Sequence, residues 1–160
     1  MAATKKTKST DIKPSDMVLL QKQWRKLSGL HGRGEWSAAI TRAATAAELS
    51  ANIAIRFEFE SRSTFDRAFV DSLLKSANGL AGKVDRLLIP LVENNTVRAK
   101  VVKKLVSISK TINSKRNAVV HQGEFCNEVE ADEIISAARE FISVLLCIYY
   151  PDFALRERAP

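Results

Sequence analysis

A chain of 160 residues with 46% hydrophobic and 27% charged content has enough apolar material for one globular domain and too little length for two. Its formal net charge of +7 favours an anionic partner, nucleic acid before membrane, because no polybasic stretch adjoins a long apolar anchor. With no apolar h-region and no run of about eighteen apolar residues, neither export nor membrane insertion is expected; Cys126 and Cys147, lacking CxxC or HxxxH spacing, read as reduced thiols of a cytoplasmic protein with no metal and no cofactor.

Residues 1 to 13 carry Lys5, Lys6, Lys8 and Lys13 against Asp11 alone and read as a disordered basic tail. Pro14, Ser15 and Asp16 form a start signal for a first helix, with Met17, Leu20, Trp24 and Leu27 on one face and an expected stop at Ser28 and Gly29. The segment GLHGRG, Gly29 to Gly34, then reads as a connection, since its glycines follow no strand. A second helix is expected from Glu35 to about Glu60, where Trp36, Ile40, Ala43, Ala47, Ala51 and Ala54 form a stripe of mostly small residues that lets a neighbouring helix approach closely.

Ser63, with Asp66 three residues on, is the expected cap of a third helix through Phe65, Phe69, Leu73 and Leu74, interrupted at Asn78 and Gly79 and resuming from Gly82 to Leu88. Beyond Pro90 and the polar Asn94, Asn95 and Thr96, a fourth helix aligns Val101, Leu105, Ile108 and Ile112 and ends at Gly123. Asn127 with Glu130 opens a fifth, acidic in its first turn, with Ile134, Ala138, Phe141, Leu145 and Ile148 as its core face and Pro151 as its stop. No alternating strand pattern of useful length occurs. The expected fold is therefore all-α, an antiparallel bundle of about five helices over residues 14 to 153, followed by a flexible C-terminus from 154 to 160.

The stretch SKRNAVVHQGEF, residues 114 to 125, poses the chemical question. At about 100° per residue, Arg116 continues the row Leu105, Ile108 and Ile112 and is itself continued by Val119, so a guanidinium falls on a stripe that faces another helix. His121 points about 140° away on a regular helix, while Asn117 lies four residues before it on nearly the same side. Convergence of Arg116 and His121 would then need either a loosened helix end or a second subunit.

The stretch KRNAVVHQG, between an Ala-rich helix AATAAELSANIAI and an amphipathic helix EADEIISAAREFISVLL, resembles the HEPN family, whose signature is an arginine, a polar residue and a histidine after a short spacing. The resemblance spans residues 35 to 149. Arg25 and His31 also fit the spacing, but Lys26 follows that arginine and Gly29 stands between the pair. The family resemblance implies a homodimeric, metal-independent endoribonuclease with the two motifs facing each other across a dimer cleft. In such a site His121 takes the proton of the 2′-hydroxyl, Arg116 holds the phosphate as charge builds on its oxygens, Asn117 orients one or the other, and the product carries a 2′,3′-cyclic phosphate.

It also implies RNA as substrate and a cognate antitoxin or regulatory protein as a further partner. Toxins of the family paired with nucleotidyltransferase antitoxins tend to carry a tyrosine two residues after the histidine, where Gly123 stands here. Glu48, beside the Ala-rich face, is the expected supporting partner of Arg116, against the alternative of a solvated glutamate. Lys103, Lys104, Lys110 and Lys115 form a basic helix face that either guides RNA or is simply solvated. The other reading of the whole chain is a catalytically silent HEPN module that binds RNA or a protein.

Overall fold

The computed structural model describes residues 15–62 and 66–157, all of whose regular structure is helical. The elements are α1 (Asp16–Gly32), α2 (Trp36–Arg62), α3 (Arg67–Ser76), α4 (Gly79–Lys83), a π-helical turn (Val84–Leu88), α5 (Ile89–Val92), α6 (Thr96–Gln122) and α7 (Glu128–Cys147). The basic tail expected over residues 1 to 13 and Ser63 lie outside the described residues. No described helix is long and apolar enough to cross a membrane.

The start and stop chemistry follows local rules at most ends. Ser15 caps α1 by accepting from the Val18 amide, and Asn95 caps α6 by accepting from Arg98. Asn127 and Glu130 form a reciprocal capping box at α7. Gly123 ends α6 in the left-handed region at φ 68°, and Glu124 donates back to the Ala118 carbonyl at 3.2 Å. Asp66 is not an interior residue of the third helix's first turn but its cap, accepting from Ala68.

Two expectations fail for physical reasons. The first helix does not stop at Ser28 and Gly29; it continues to Gly32 because Leu27 is buried, Leu30 packs on the core and His31 docks on α7. These contacts outweigh the cost of about 1 kcal/mol for glycine in a helix interior, and the reversal comes later, at Gly34 with φ 72°. The third helix is also broken more than expected. A Cβ at Gly79 would meet Asn113 Oδ1 at 2.6 Å and the residue takes φ 72°, so α4 begins there rather than at Gly82. Pro90 has no N–H to donate, and the turn before it widens so that Ile89 donates to the Val84 carbonyl.

Helix α2 is the axis. Ala43, Ala46, Ala47, Ala51 and Ala54 are fully buried along it, and α1 and α7 pack on these small side chains. Pairings fix the directions. Arg56 reaches Asp16 at the start of α1 at 2.9 Å, whereas Arg42 near the start of α2 holds Gln23 at 2.7 Å, so α1 runs antiparallel to α2. Glu58 pairs with Arg98 at the start of α6 at 3.1 Å, so α6 is antiparallel as well. The hydroxyl of Ser37, at the start of α2, donates to the Glu124 carbonyl and accepts from the Cys126 amide beyond the end of α6. One end of the bundle therefore gathers the C-termini of α1 and α6 and the N-termini of α2 and α7.

Residues 154 to 157, expected to be flexible, lie along α1: Gln21 donates to the Ala154 carbonyl at 3.0 Å and accepts from the Arg156 amide at 2.9 Å. The close approach of helices to α2 yields a stability expectation. Ala47→Leu should lower the unfolding free energy by about 1–3 kcal/mol through overpacking, read as an earlier midpoint in denaturant melts followed by circular dichroism. A variant as stable as the parent would show that the alanine face is not closely packed.

Candidate functional site

The buried row of α6 is Val102, Leu105, Ser109 and Ile112, with Val101 and Ile108 only half-buried. The next positions of that row, Arg116 and Val119, lie where the core thins out, and Val119 packs with Trp36, Ile40 and Cys126 in a small separate cluster. Arg116 is thus half-buried, with its guanidinium turned to the helix end. Its Nη1 lies 3.2 Å from Asn117 Oδ1 and 3.3 Å from His121 Nε2. The two motif residues meet within one chain on a helix that stays α-helical to Gln122. Neither a loosened end nor a second subunit is needed. An angle of about 140° between two positions is bridged by the length of the arginine side chain, which the positions alone do not convey.

Protonation geometry follows. A guanidinium only donates, so His121 Nε2 accepts in this contact and the ring proton of that form lies on Nδ1. The carbonyl oxygen of Asn117 accepts a second bond from the same Nη1. No carboxylate pairs with Arg116 among the described residues. Glu48, the expected partner, is engaged elsewhere: its Oε1 takes a 2.6 Å bond from the nearly buried Lys83 Nζ. The position of Glu48 on α2 faces α4, not the end of α6.

The basic residues divide. Lys103 and Lys104 are exposed on α6, and Lys110 is exposed with Asp85 at 3.9 Å. Lys115 is not part of a free basic face. Its Nζ bridges Glu124 and Glu130, 2.6 Å from the latter, and joins the α6 end to the α7 start. Hydrogen bonds to those two carboxylates push its pKa up. The same bond, followed by the Asn127 amide, holds Glu130 below its usual range. Lys110 and Lys115 also line a cavity of about 580 Å³ between α6 and α7, but Glu124, Glu130 and Glu133 share its wall, which disfavours phosphate, and no motif residue lines it.

Two groups able to ligate a metal come together that linear spacing does not reveal. His31, Glu128 and Asp132 bring one ligand atom each within 4.8 Å of one another, as do Glu124, Cys126 and Glu130. In the first, His31 Nε2 is 2.6 Å from Asp132 Oδ1 and its ring meets Trp36 edge-on at 5.0 Å. In the second, the Lys115 ammonium already neutralises the carboxylates. His31 therefore belongs with α7 and not with Arg25, which lines a different surface.

Another polar constellation also escaped the sequence. Glu58 is fully buried at the far end of α2, within 3.1 Å of both Arg62 and Arg98, and accepts from Tyr149 Oη at 2.8 Å. Burial, and then the Glu58 carboxylate, pushes the Tyr149 phenol up. In sequence Glu58 is one more glutamate in FEFES; only the apolar neighbours Phe57 and Phe59 hint at its burial.

The lowered pKa of Glu130 makes the α6–α7 junction pH-dependent. A depressed carboxylate contributes stability that is full above its unfolded value of 4.5 and fades as the pH falls through the lower folded value. Glu130→Gln should accordingly lower the melting temperature at neutral pH, with the difference from the parent shrinking on acidification below that range. A difference that is constant across the titration would assign the loss to the cap alone.

Comparison with known proteins finds no matching family model, no similar curated protein and no similar solved structure for this chain.

Proposed function

We propose that the chain is a metal-independent endoribonuclease of the HEPN toxin, defence or stress-response type, acting from a homodimer cleft with Arg116, Asn117 and His121 as its catalytic set. The observation that supports this most is the meeting of Arg116, Asn117 and His121 at one accessible helix end, with no carboxylate pairing the guanidinium among the described residues. A structural arginine on a core-facing row is ordinarily neutralised by an acid. This one instead keeps donors free for an anion.

The proposed reaction uses these groups as follows. The substrate phosphate takes the Arg116 guanidinium bidentately, which draws Arg116 away from His121 and leaves the Nε2 lone pair open. Nε2 removes the 2′-hydroxyl proton, the 2′-oxygen attacks phosphorus, and the bond to the 5′-oxygen breaks to leave a 2′,3′-cyclic phosphate. The 5′-oxygen needs a proton, which the partner's His121, protonated on both ring nitrogens, supplies in the dimer and thereby becomes neutral. Arg116 offsets the charge on the non-bridging oxygens, and Asn117, which holds the guanidinium in the free form, fixes its orientation.

A dimer is also favoured by apolar surface around the motif. Val120, Phe125 and Val129 are 44%, 96% and 65% exposed at the α6–α7 loop. A second copy covering this loop would remove them from water and bring two motif ends together. Exposed Lys103, Lys104 and Lys110 then flank the approach of an RNA strand, whereas Lys115 serves the scaffold. A cognate antitoxin or regulatory protein would act on the same loop.

His121→Ala should lower cleavage of a labelled RNA by about 10²-fold or more while leaving the melting temperature nearly unchanged, because the side chain is exposed. Arg116→Ala should lower it as well, and excess EDTA should not, since every step uses side chains alone. The cut ends should resist ligation until the cyclic phosphate is opened. Cleavage unaffected by His121→Ala would reject the site, and no cleavage of any of several RNAs would leave the silent binding module. For the dimer, Phe125→Asp should shift sedimentation toward the monomer and lower cleavage with it; a parent that is monomeric at micromolar concentration would remove the shared cleft.

A further inference from the structure

On the surface between α1 and α2 a second cationic feature has no place in the cleavage chemistry. A cleft of about 400 Å³ is lined by Arg25, Lys26, Gly29, Leu30, Arg33 and Arg42, with no acidic side chain in its wall. Its volume lies in the usual range for small-ligand sites, about 300–1,000 Å³. Arg25 and Lys26 are exposed and have no acidic partner among the described residues. Arg42 is half-buried and held by Gln23 Oε1 at 2.7 Å, and Arg33 is steadied by Glu35 at 2.6 Å. Two of the cations are thus oriented beforehand and two are free.

The helix dipole does not account for the group. It favours cations only in the last turn of a helix; α1 ends at Gly32, so Arg33 qualifies, Arg25 lies about two turns earlier and Arg42 belongs to α2. The glycine offers a second observation. Arg25, Gly29 and Arg33 follow one another at steps of four, so they share a row, and Gly29 sits inside a continuous helix at a cost of about 1 kcal/mol relative to alanine. Gly29 and Leu30 both line the cleft, the glycine as the position of that row without a side chain and Leu30 as an apolar wall.

We propose that this cleft binds successive phosphate groups, with Arg25 and Arg42 as the principal contacts, Lys26 and Arg33 at the rim, and Gly29 leaving the room. The shared chemistry is a chain of phosphates, presented either by a free polyphosphate such as a nucleoside triphosphate or by the backbone of a nucleic-acid strand. Arg42 supplies a guanidinium whose position is set before binding, and that lowers the ordering cost on association.

The test is calorimetric titration of the full chain with inorganic tripolyphosphate and, separately, with a short single-stranded oligodeoxynucleotide, which lacks the 2′-hydroxyl and is not cleaved. Arg25→Glu and Arg42→Gln should each weaken binding by about tenfold or more, with melting temperatures near the parent's. Gly29→Leu should weaken it too while raising or preserving the melting temperature, an outcome that loss of folding cannot imitate. Arg86→Glu, the same charge change on the exposed π-helical turn away from the cleft, should have little effect. This pattern with tripolyphosphate assigns the site to a free polyphosphate, and the same pattern with the oligonucleotide alone assigns it to a strand. Binding weakened equally by Arg86→Glu, binding indifferent to Gly29→Leu, or no binding of either probe at low salt would overturn the proposal.

Discussion

The burial of α2 on nearly every side is the constraint from which the rest of the architecture follows. A helix enclosed by neighbours needs small side chains where those neighbours cross it, and the alanines from Ala39 to Ala54 provide them. Because α1 and α7 both lean on that face, the turn at Gly34 and the loop after Gly123 are brought to the same end of the bundle, where Ser37 links them. The motif helix α6 has its last fully buried side chain at Ile112, and beyond it Val119 is half-buried against the small cluster around Ile40 of α2. Arg116 is therefore neither core nor free surface, and this half-buried position gives its guanidinium a defined place next to His121.

Polar anchors at the two ends keep the helices in register around this axis. At one end the buried Glu58 collects Arg62, Arg98 and Tyr149, which ties α2, α6 and the chain just past α7. The desolvation of a buried carboxylate offsets much of its Coulomb gain, so its contribution is to position more than to net stability. At the other end Lys115 clasps Glu124 and Glu130 and fixes the angle at which α7 leaves the motif loop. The capping box on Asn127 acts at the same place, so two independent devices hold the first turn of α7.

What the sequence made legible was local. The left-handed Gly123 and the Asn127–Glu130 box rest on interactions within a few residues, the small-residue stripe of α2 shows in its helical spacing, and each appears as expected. The motif pair Arg116 and His121 was legible as residues but not as a contact, because angular position on a helix omits the reach of a long side chain. Partners from distant segments were not legible at all. Glu48 turned to Lys83, Lys115 to Glu124 and Glu130, and His31 to Asp132, each across a packing interface that no periodicity encodes. Gly29 misled for the opposite reason: its local preference for ending a helix was overruled by the burial of Leu27 and the docking of His31.

Charge is distributed unevenly, and the distribution matters more to a polyanion than the net value. Five of the eighteen acidic residues fall between Glu124 and Glu133, a stretch without lysine or arginine. The first turns of α7 consequently repel phosphate, and two of these acids are already spent on Lys115. Among the described residues the positive excess lies mainly on α6, which carries seven lysines and arginines and no acid, and on α1, and Arg25, Lys26, Lys103 and Lys104 are exposed there. On the proposed ribonuclease reading, a strand approaching the motif end would be steered away from α7 and toward the side on which Arg116 has no acidic partner among the described residues. Because the steering comes from exposed charges, it is screened over about 8–10 Å at physiological ionic strength, whereas the Arg116–Asn117–His121 contact, made at hydrogen-bond distance on a half-buried row, is far less sensitive to salt.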